Sequence, residues 1–266
     1  MAAGGVKPVW RLILDGPAEG AWNMAVDRAM LDAHEAGEVP ATVRLYAWDR
    51  PTITIGRFQK LETVDVGYCT AEGLGLARRP TGGRGVLHDD EITYSIVAGV
   101  RDGLPRGVAA SYRMLCGALV ETYRRLGVAA EMTARERGSN ATGACYLHAT
   151  AADLSLNAAK LSGSAQVWNR DSCLQHGSFV ITRDVAREAR VFGLGPHDAR
   201  ALASSTSTLS DALGGVPTSA RIIDAVKAGV CCVLGVHLEE MGLSESEREG
   251  AKACIEEYRV LVSGAG

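Results

Sequence analysis

The sequence predicts a mixed α/β fold, and two observations carry this prediction. Short apolar or β-branched segments alternate with longer segments of helical periodicity along the 266 residues. No Pro/Ser-rich linker, low-complexity tract or internal repeat interrupts this alternation. The length allows either one large domain or two small ones, and each could bury a core. The alternation alone does not separate a mixed sheet from a doubly wound parallel sheet.

The first part of the chain is predicted to contain strands around one long helix. Apolar residues recur at helical spacing along Gly20–Ala36, which predicts an amphipathic helix. Residues 42–47 and 52–55 alternate like paired strands, with Pro51 at the turn, where a missing N–H costs nothing. Further strands are predicted at residues 10–14, 74–77 and 92–97.

The remainder begins with a second amphipathic helix at Val108–Leu126. Residues 133–143 are polar and contain glycine, which predicts a loop that orders with ligand. Asn157 and Ala158 form a weak hairpin signal because the usual glycine is missing. Strands are predicted at residues 128–131, 153–157, 160–168 and 173–181, and closing helices at residues 219–234 and 244–261.

The composition predicts a cytoplasmic enzyme. Lysine and arginine number 28 against 31 aspartates and glutamates, without a basic stripe, which argues against nucleic acid as a partner. No segment approaches the roughly 20 apolar residues that cross a bilayer, and residues 1–8 lack the apolar core of a secretory signal. Seven cysteines without a compact framework indicate reduced thiols.

The most informative segment is RRPTGGRGVLHDD at residues 78–90. It places arginines, a glycine pair and a His-Asp pair between two predicted strands. Glycines allow positive φ or the close approach of a ligand to the backbone. Arginines beside such a bend can hold a carboxylate, a phosphate or a carbonyl oxygen. A glycine-rich hairpin with solvated charges has the same composition, so this segment does not define a function by itself.

Two further motifs change this balance: KLSGSAQ at residues 160–166 and QHGS at residues 175–178. With segment 78–90, NMAVD at 23–27 and PTITIGRFQ at 51–59, they resemble the lipoate-protein ligase and octanoyltransferase family, which shares its catalytic fold with biotin-protein ligases. The resemblance implies a single catalytic domain over residues 1–266, with a central mixed, mostly antiparallel β-sheet flanked by helices. Its family core would span residues 9–213, and residues 214–266 would form a helical extension packed on that core.

The same resemblance implies catalytic roles for Cys145 and Lys160. A cysteine ahead of the K-x-x-G-S-A-Q motif resembles the octanoyltransferase branch common in bacilli, whose members carry the octanoyl group as a thioester on this residue. Lys160 matches the motif lysine and is expected to stabilise the oxyanion and hold Cys145 as thiolate. Without the motif, Lys160 would be interpreted as a solvated strand residue. In contrast to Cys145, five cysteines are predicted to be buried and to act as small hydrophobic residues: Cys69, Cys116, Cys231, Cys232 and Cys254.

The resemblance also predicts the walls of an acyl pocket. Arg84 stands where ATP-using relatives often carry a third glycine, which favours the transferase branch. Arg79 is expected to meet the pantetheine phosphate of a carrier protein or a carboxylate on the acceptor. His88 and His176 are placed outside the catalytic pair, because a histidine in a turn or motif is more often structural. The predicted substrate-binding residues are Arg78, Arg79, Thr81, Gly82, Gly83, Arg84, His88, Gly163, Ser164, Ala165, His176 and Gly177.

The sequence departs from the branch pattern at one place. After the cysteine, that pattern has an aromatic residue, an Ala-Pro-Ser-like segment and an acidic residue about eight positions on. Tyr146 and Asp153 fit, whereas LHAT at residues 147–150 lacks the proline, which leaves the loop conformation open.

A zinc site is the alternative for the same region. Cys145-x-x-His148 and Cys173-x-x-His176 supply four possible ligands at short spacings. This is not a standard finger spacing, and His176 falls in a family block that needs no metal. No metal and no cofactor are therefore predicted.

The implied reaction moves octanoyl from acyl carrier protein to Cys145, and then to a lysine ε-amine of a lipoyl domain or glycine-cleavage H protein. Two enzymatic alternatives stay open: transfer between lipoyl-bearing proteins through the same cysteine, and ATP-dependent lipoate or octanoate ligation. Only about 50 residues follow Gly214, which disfavours a ligase with its accessory domain. The presence of Cys145 and Lys160 disfavours a homologue that only binds lipoyl domains. The protein is expected to be a monomer or weak dimer that binds neither nucleic acid nor membrane.

Overall fold

The computed structural model describes residues 6–133, 143–146 and 153–260. Within these ranges the chain forms strands and helices in close alternation. The strands are β1 (Val9–Ala18), β2 (Thr42–Trp48), β3 (Thr52–Ile55), β4 (Gly75–Arg78), β5 (Val86–His88), β6 (Glu91–Gly99), β7 (Glu131–Met132), β8 (Leu154–Leu156), β9 (Ala159–Ser162), β10 (Ser164–Asn169), β11 (Ser172–Val180) and β12 (His237–Glu240). The helices are α1 (Gly20–Ala36), α2 (Val66–Ala71), α3 (Val108–Leu126), α4 (Val185–Val191), α5 (Pro196–Ser205), α6 (Leu209–Leu213), α7 (Ser219–Leu234) and α8 (Glu245–Tyr258).

The central sheet has six strands in the order β10-β11-β6-β2-β1-β12. The pairs from β10 to β2 are antiparallel, and β1 pairs in parallel with both β2 and β12. Two three-stranded sheets, β4-β3-β5 and β7-β8-β9, accompany it. The predicted mixed fold with a mostly antiparallel central sheet is confirmed.

Helices cover both faces of the central sheet, and the pleat of β6 shows how the two cores separate. Tyr94 and Ile96 lie in the apolar cluster that contains Leu115 of α3 and Ile222 of α7. Val97 points to the other face and lies with Met24 of α1. Because successive side chains of a strand point to opposite faces, one strand serves both cores. The α1 face also carries buried polar side chains, and these prepare the pocket described below.

The predicted pairing of residues 42–47 with residues 52–55 is wrong. β2 lies between β1 and β6 in the central sheet, whereas β3 lies between β4 and β5 in the second sheet. β2 is buried along almost its whole length and therefore needs a neighbour on each edge and a helix layer on each face. Pro51 stands where the chain passes from one sheet to the next, and its carbonyl accepts a hydrogen bond from Gly75 N at 2.9 Å.

The prediction of one strand over residues 160–168 is also wrong, because the chain changes sheets at Gly163. β9 belongs to the small sheet with β8, and β10 begins the central sheet. A Cβ on Gly163 would lie 3.2 Å from Lys160 Cε, so the bend brings the two residues into close packing. The weak hairpin signal is confirmed: Asn157 and Ala158 have φ of 50° and 66°, the signs of a type I′ turn, without a glycine.

The predicted closing helices are present as α7 and α8, with α8 ending at Tyr258. The segment also contributes β12, an unpredicted strand that extends the central sheet beside β1. Arg11 Nη1 of β1 donates to Glu247 Oε2 of α8 at 2.7 Å, and both side chains are buried. The C-terminal segment is therefore part of the sheet and its covering layer. No helix in the described ranges is long and apolar enough to cross a membrane.

Candidate active site

A deep pocket lies on the α1 face of the central sheet, bounded by the second sheet and the segment 143–146. Its empty volume is about 880 Å³, including space open to solvent. Residues from β2, β6, β10 and β11 form its floor, so it crosses four neighbouring strands. The predicted site residues that line it are Arg79, Gly83, Arg84, His88, Cys145, Gly163, Ser164, Ala165, His176 and Gly177. Its other lining residues are Met24, Tyr46, Trp48, Thr54, Val86, Thr93, Tyr146, Asp153 and Ser178.

Cys145, Asp153 and Lys160 form a cluster at one end of the pocket. Lys160 Nζ lies 2.9 Å from Asp153 Oδ2, and both side chains are almost fully buried. The same ammonium lies 3.3 Å from the carbonyl oxygen and 3.9 Å from the Sγ of Cys145. A buried ammonium needs a carboxylate partner, which Asp153 supplies. The paired lysine is therefore held beside a thiol that the pocket exposes.

Backbone hydrogen bonds fix the position of Cys145. Cys145 N donates to Gly85 O at 2.8 Å, and Gly85 N donates to Gly143 O at 2.9 Å, which forms a parallel bridge. A Cβ on Gly85 would lie 2.4 Å from a ring carbon of Phe192, so only glycine fits there without a shift. The segment with the thiol is thus attached directly to the loop of motif 78–90.

Three other cysteines are buried, whereas Cys145 is partly exposed. Burial raises the pKa of Cys69 to about 11, and that of Cys116 and Cys173 to about 12 each. These groups are neutral thiols at pH 7, which suits the predicted role of Cys69 and Cys116 as small hydrophobes. Cys231 and Cys254 are partly exposed and Cys232 is exposed, so burial was incorrectly predicted for these three. Cys231 and Cys232 lie on α7, and Cys254 lies on α8.

Tyr146 lies between the cluster of Cys145, Asp153 and Lys160 and a second ion pair. Arg183 Cζ lies 3.6 Å from the centroid of the Tyr146 ring, and Lys160 Nζ lies 5.1 Å from it. Arg183 Nη1 in turn donates to Glu188 Oε2 at 3.0 Å. The ring therefore packs between two cations, an arrangement that fixes the residue next to the thiol.

Arg79 stabilises the loop at residues 79–85 between β4 and β5, which we call the glycine loop. Its guanidinium is buried and donates to the carbonyl oxygens of Thr54, Gly82 and Arg84 at 3.1, 2.9 and 2.7 Å. Burial lowers the pKa of Arg79. Gly83 has a φ of +97° and supplies the left-handed turn that this loop needs. The expectation that Arg79 meets a pantetheine phosphate or an acceptor carboxylate is not supported, because loop carbonyls occupy its donors.

Arg78, Thr81 and Gly82 do not line the pocket and contribute to loop geometry instead. Arg78 Nη1 donates to the carbonyl oxygens of Gly56 and Gln59 at 2.9 Å each. Lys160 is likewise absent from the lining, but it reaches the pocket through Cys145 and Asp153.

His176 belongs to a buried chain of polar contacts beneath the loop. Its Nε2 lies 2.7 Å from Thr81 Oγ1, and its Nδ1 lies 2.9 Å from Asp27 Oδ2 of α1. Arg44 Nη1 donates to the other oxygen of Asp27 at 3.1 Å. Burial lowers the pKa of His176, with Arg79 adding to the effect. The chain therefore ties the glycine loop to α1 through a histidine that is neutral at pH 7.

His88 forms a second polar group next to this chain. Its ring stacks on Trp48 with centroids 4.2 Å apart, and its Nδ1 lies 2.7 Å from Glu91 Oε1. Thr54 Oγ1 lies 2.8 Å from His88 Nε2. These contacts occupy both ring nitrogens, so the structure gives His88 a fixed place in the pocket wall.

The free energy of unfolding is expected to fall as the pH drops below about 6.5. An unfolded chain binds a proton at His176 near its ordinary pKa, whereas the folded chain does not, because its pKa is lowered. Hydrogen bonding to His176 and the charge of Arg44 lower the pKa of Asp27 despite burial, so stability decreases further in stronger acid. Denaturant unfolding at several pH values should show the free energy of unfolding decreasing below about pH 6.5, by at most about 1.4 kcal/mol per pH unit for one proton.

His176→Gln is expected to flatten this slope between pH 7 and pH 5. The matched control is His197→Gln, because His197 is exposed on α5 and should leave the profile unchanged. An unchanged slope in His176→Gln would assign the acid sensitivity to another group.

Several residues of the pocket were not predicted from the sequence. Met24 and Trp48 line the pocket, and Asp27 contacts the lining residue His176. All three lie in or beside motifs that were recognised, but neither spacing nor composition indicated these positions. Their signal was the match of NMAVD and of the segment around residues 51–59 to the family. These two motifs therefore indicated more of the site than the residues that were assigned to it.

The proposed zinc ligands do not form a site in the described residues. Cys173 and His176 are three positions apart on β11 and point to opposite faces of the sheet. His148 lies outside the described residues, as do residues 134–142 of the predicted loop and the LHAT segment. Within the described ranges, no three His, Cys, Asp or Glu side chains come together as metal ligands.

Comparison with known proteins identifies the family. A model of the lipoyl protein ligase A/B catalytic domain matches residues 19–230. The chain belongs to this family. The family resemblance that the sequence motifs predicted is therefore confirmed.

Curated relatives cover nearly the whole chain. The octanoyltransferase LipM of Kyrpidia tusciae is 39% identical over 264 residues, which is 94% of this chain and 96% of that protein. The octanoyltransferase LipM of Symbiobacterium thermophilum is 37% identical over 260 residues, covering 93% and 94%.

Solved structures of the family share the fold. A lipoate-protein ligase A bound with ATP superposes with a TM-score of 0.79 at 22% identity, covering 93% of this chain and 94% of that one. A bipartite lipoate protein ligase described with its E2 lipoyl domain from Thermoplasma acidophilum gives a TM-score of 0.76 at 22% identity, covering 95% and 93%. At this identity the likeness establishes the architecture alone.

Proposed function

We propose that this protein is an octanoyltransferase that moves an octanoyl group through a thioester on Cys145 to the ε-amine of a lysine on a lipoyl domain. The observation that carries the proposal is the position of Lys160 Nζ, 2.9 Å from Asp153 and 3.9 Å from Cys145 Sγ, at the end of a deep pocket. The names of the LipM relatives, which cover almost the whole chain, support the same activity. Octanoyl-acyl carrier protein is the donor in this proposal, and glycine-cleavage H protein is a further acceptor.

In the first step, Cys145 Sγ attacks the carbonyl carbon of the donor thioester as a thiolate. A new C–S bond forms while negative charge develops on the carbonyl oxygen. The Lys160 ammonium lies close enough to Cys145 to stabilise both the thiolate and this oxyanion. The bond to the donor sulfur then breaks, and the departing thiolate takes the proton that Cys145 released.

In the second step, the neutral ε-amine of the acceptor lysine attacks the carbonyl carbon of the Cys145 thioester. The C–N bond forms, the C–S bond breaks, and the departing sulfur takes the proton that the nitrogen loses. Asp153 holds the Lys160 side chain in position throughout, because the carboxylate is buried against it. No nucleotide enters either step. Positioning, covalent capture and oxyanion stabilisation supply the rate.

The pocket wall suits an acyl chain. The residues opposite the catalytic cluster include Met24 and Trp48, and Val86 lies on the glycine-loop side. Burial of an apolar chain between such side chains contributes about 0.8 kcal/mol per methylene. An octanoyl group therefore gains binding energy from its length, while its carbonyl stays at Lys160.

The test is to incubate the protein with octanoyl-loaded acyl carrier protein, without ATP, and to record its intact mass. One octanoyl group per protein, located on Cys145 by peptide mapping and released to an added lipoyl domain, is the expected result. An adduct formed only from octanoylated H protein would identify transfer between lipoyl-bearing proteins instead. Product that forms only with free octanoate and ATP would identify a ligase and contradict the proposal.

A further inference from the structure

The turn 56–59, with the sequence GRFQ, presents an exposed aromatic side chain; we call it the rim turn. Phe58 is 85% exposed, and no other aromatic residue in the described ranges is among the exposed large apolar side chains. Arg57 Cζ lies 5.5 Å from the centroid of the Phe58 ring. Aromatic residues and arginines are the side chains most enriched at the energetic centres of protein interfaces.

The rim turn is held in one conformation. Arg78 Nη1 donates to the carbonyl oxygens of Gly56, Arg57 and Gln59 at 2.9, 3.2 and 2.9 Å. Gln59 N also donates to Gly56 O at 2.9 Å. A turn fixed by so many bonds loses little conformational entropy when a partner binds. The backbone that carries Phe58 is therefore held in place before a partner binds.

The rim turn also touches both walls of the entrance to Cys145. Arg57 N donates to Thr81 O at 2.9 Å, which joins the turn to the glycine loop. Gln59 Nε2 donates to Gly143 O at 3.2 Å, two residues before the thiol. A partner seated on Phe58 would thus stand at the mouth of the pocket.

Positive charge surrounds Phe58. Arg57 and Lys60 are exposed, and Arg78 lies directly behind the turn. Within the described residues, no carboxylate is within salt-bridge distance of any of these three cations, and Glu62 is an acidic neighbour along the chain. The chain as a whole carries a net charge of −3, so the rim turn is a local excess of the opposite sign. Such a patch attracts acidic surfaces and phosphates.

We propose that the rim turn is the docking surface for the acyl donor, an acidic carrier domain that presents its acyl group on a phosphopantetheine arm. This proposal rests on the proposed function. Phe58 packs on an apolar position of the carrier, and Arg57 and Lys60 face its carboxylates and the arm's phosphate. The arm then passes alongside the glycine loop into the pocket that Cys145 lines.

The test separates docking from chemistry by changing the size of the donor. Phe58→Ala and Arg57→Glu are each expected to lower kcat/KM for Cys145 acylation by octanoyl-carrier protein about tenfold or more. The same variants should be acylated at the wild-type rate by octanoyl-pantetheine, which has no protein surface to dock. Arg57→Glu should also weaken the salt dependence of the reaction with the carrier. Val216→Ala, in the loop before α7, and Arg113→Glu, on α3, change exposed residues elsewhere in the fold; they are the matched controls and should change neither reaction.

Three results would count against the docking surface. Equal losses with octanoyl-pantetheine would place the rim turn in the chemistry or the fold. A slower transfer from pre-acylated enzyme to a lipoyl domain, with the donor step unchanged, would assign the surface to the acceptor. Unchanged acylation by the carrier in both variants would remove any docking role. Failure of the proposed function is distinct from all three, since wild-type protein would then form no Cys145 thioester with either donor.

Discussion

Cys145→Ala is expected to form no octanoyl adduct and to lose transfer to a lipoyl domain by about 10³-fold or more. The substitution removes the atom that carries the acyl group between the two steps. The buried thiols cannot replace it, because burial raises the pKa of Cys116 and Cys173 to about 12 each and they lie in the packed core. Intact mass after incubation with donor and single-turnover transfer to a lipoyl domain measure the two effects separately.

Cys232→Ala is the matched control for this prediction. Cys232 is an exposed cysteine on α7, at a distance in the fold from the pocket lining. Its replacement should leave both the adduct and the transfer rate unchanged. Transfer that persists in Cys145→Ala at the wild-type rate would show that the acyl group passes directly from donor to acceptor.

Lys160→Met is expected to lower the rate of Cys145 acylation by about 10²- to 10³-fold, because the oxyanion loses its nearest cation. It should also reduce the free energy of unfolding by about 3–5 kcal/mol, since the buried Asp153 carboxylate loses the Lys160 ammonium. Quenched-flow kinetics of Cys145 acylation measure the loss of rate, and denaturant unfolding measures the loss of stability.

The double variant Lys160→Met with Asp153→Asn separates the two roles of the lysine. Removing the buried negative charge of Asp153 should restore much of the stability, whereas acylation should stay slow. Lys227→Met is the matched control, because Lys227 is half-exposed and its distance to Glu240 Oε2 is 3.9 Å. Recovery of activity in the double variant would mean that Lys160 acts through stability alone.

Most helices and strands could be predicted from the sequence, because the periodicity that indicates them lies within each segment. The periodicity of Gly20–Ala36 and Val108–Leu126 predicted two helices at the bounds that the structure shows. The segments around β6 and β11 were likewise predicted as strands. By contrast, the pairing of β2 and β3 was predicted incorrectly, because alternation along a strand does not encode which strand lies beside it.

In the candidate site, too, the sequence indicated individual residues but not the contacts between them. The motifs identified Cys145 and Lys160, and the pattern after the cysteine singled out Asp153. They did not reveal that Asp153 pairs with Lys160, or that the donors of Arg79 go to loop carbonyls rather than to a substrate. Both contacts depend on the change of sheet at Gly163 and on the tight packing of the glycine loop.

The sequence by itself determined the α/β class, the order of most elements and the family, since periodicity and motif spacing are written along the chain. Only the tertiary structure decided the strand order, the insertion of β12 beside β1 and the pocket shared by α1, four strands and the segment 143–146. These features arise from contacts between residues far apart in sequence. Their energies depend on burial and hydrogen-bond partners that exist only after the whole core has packed.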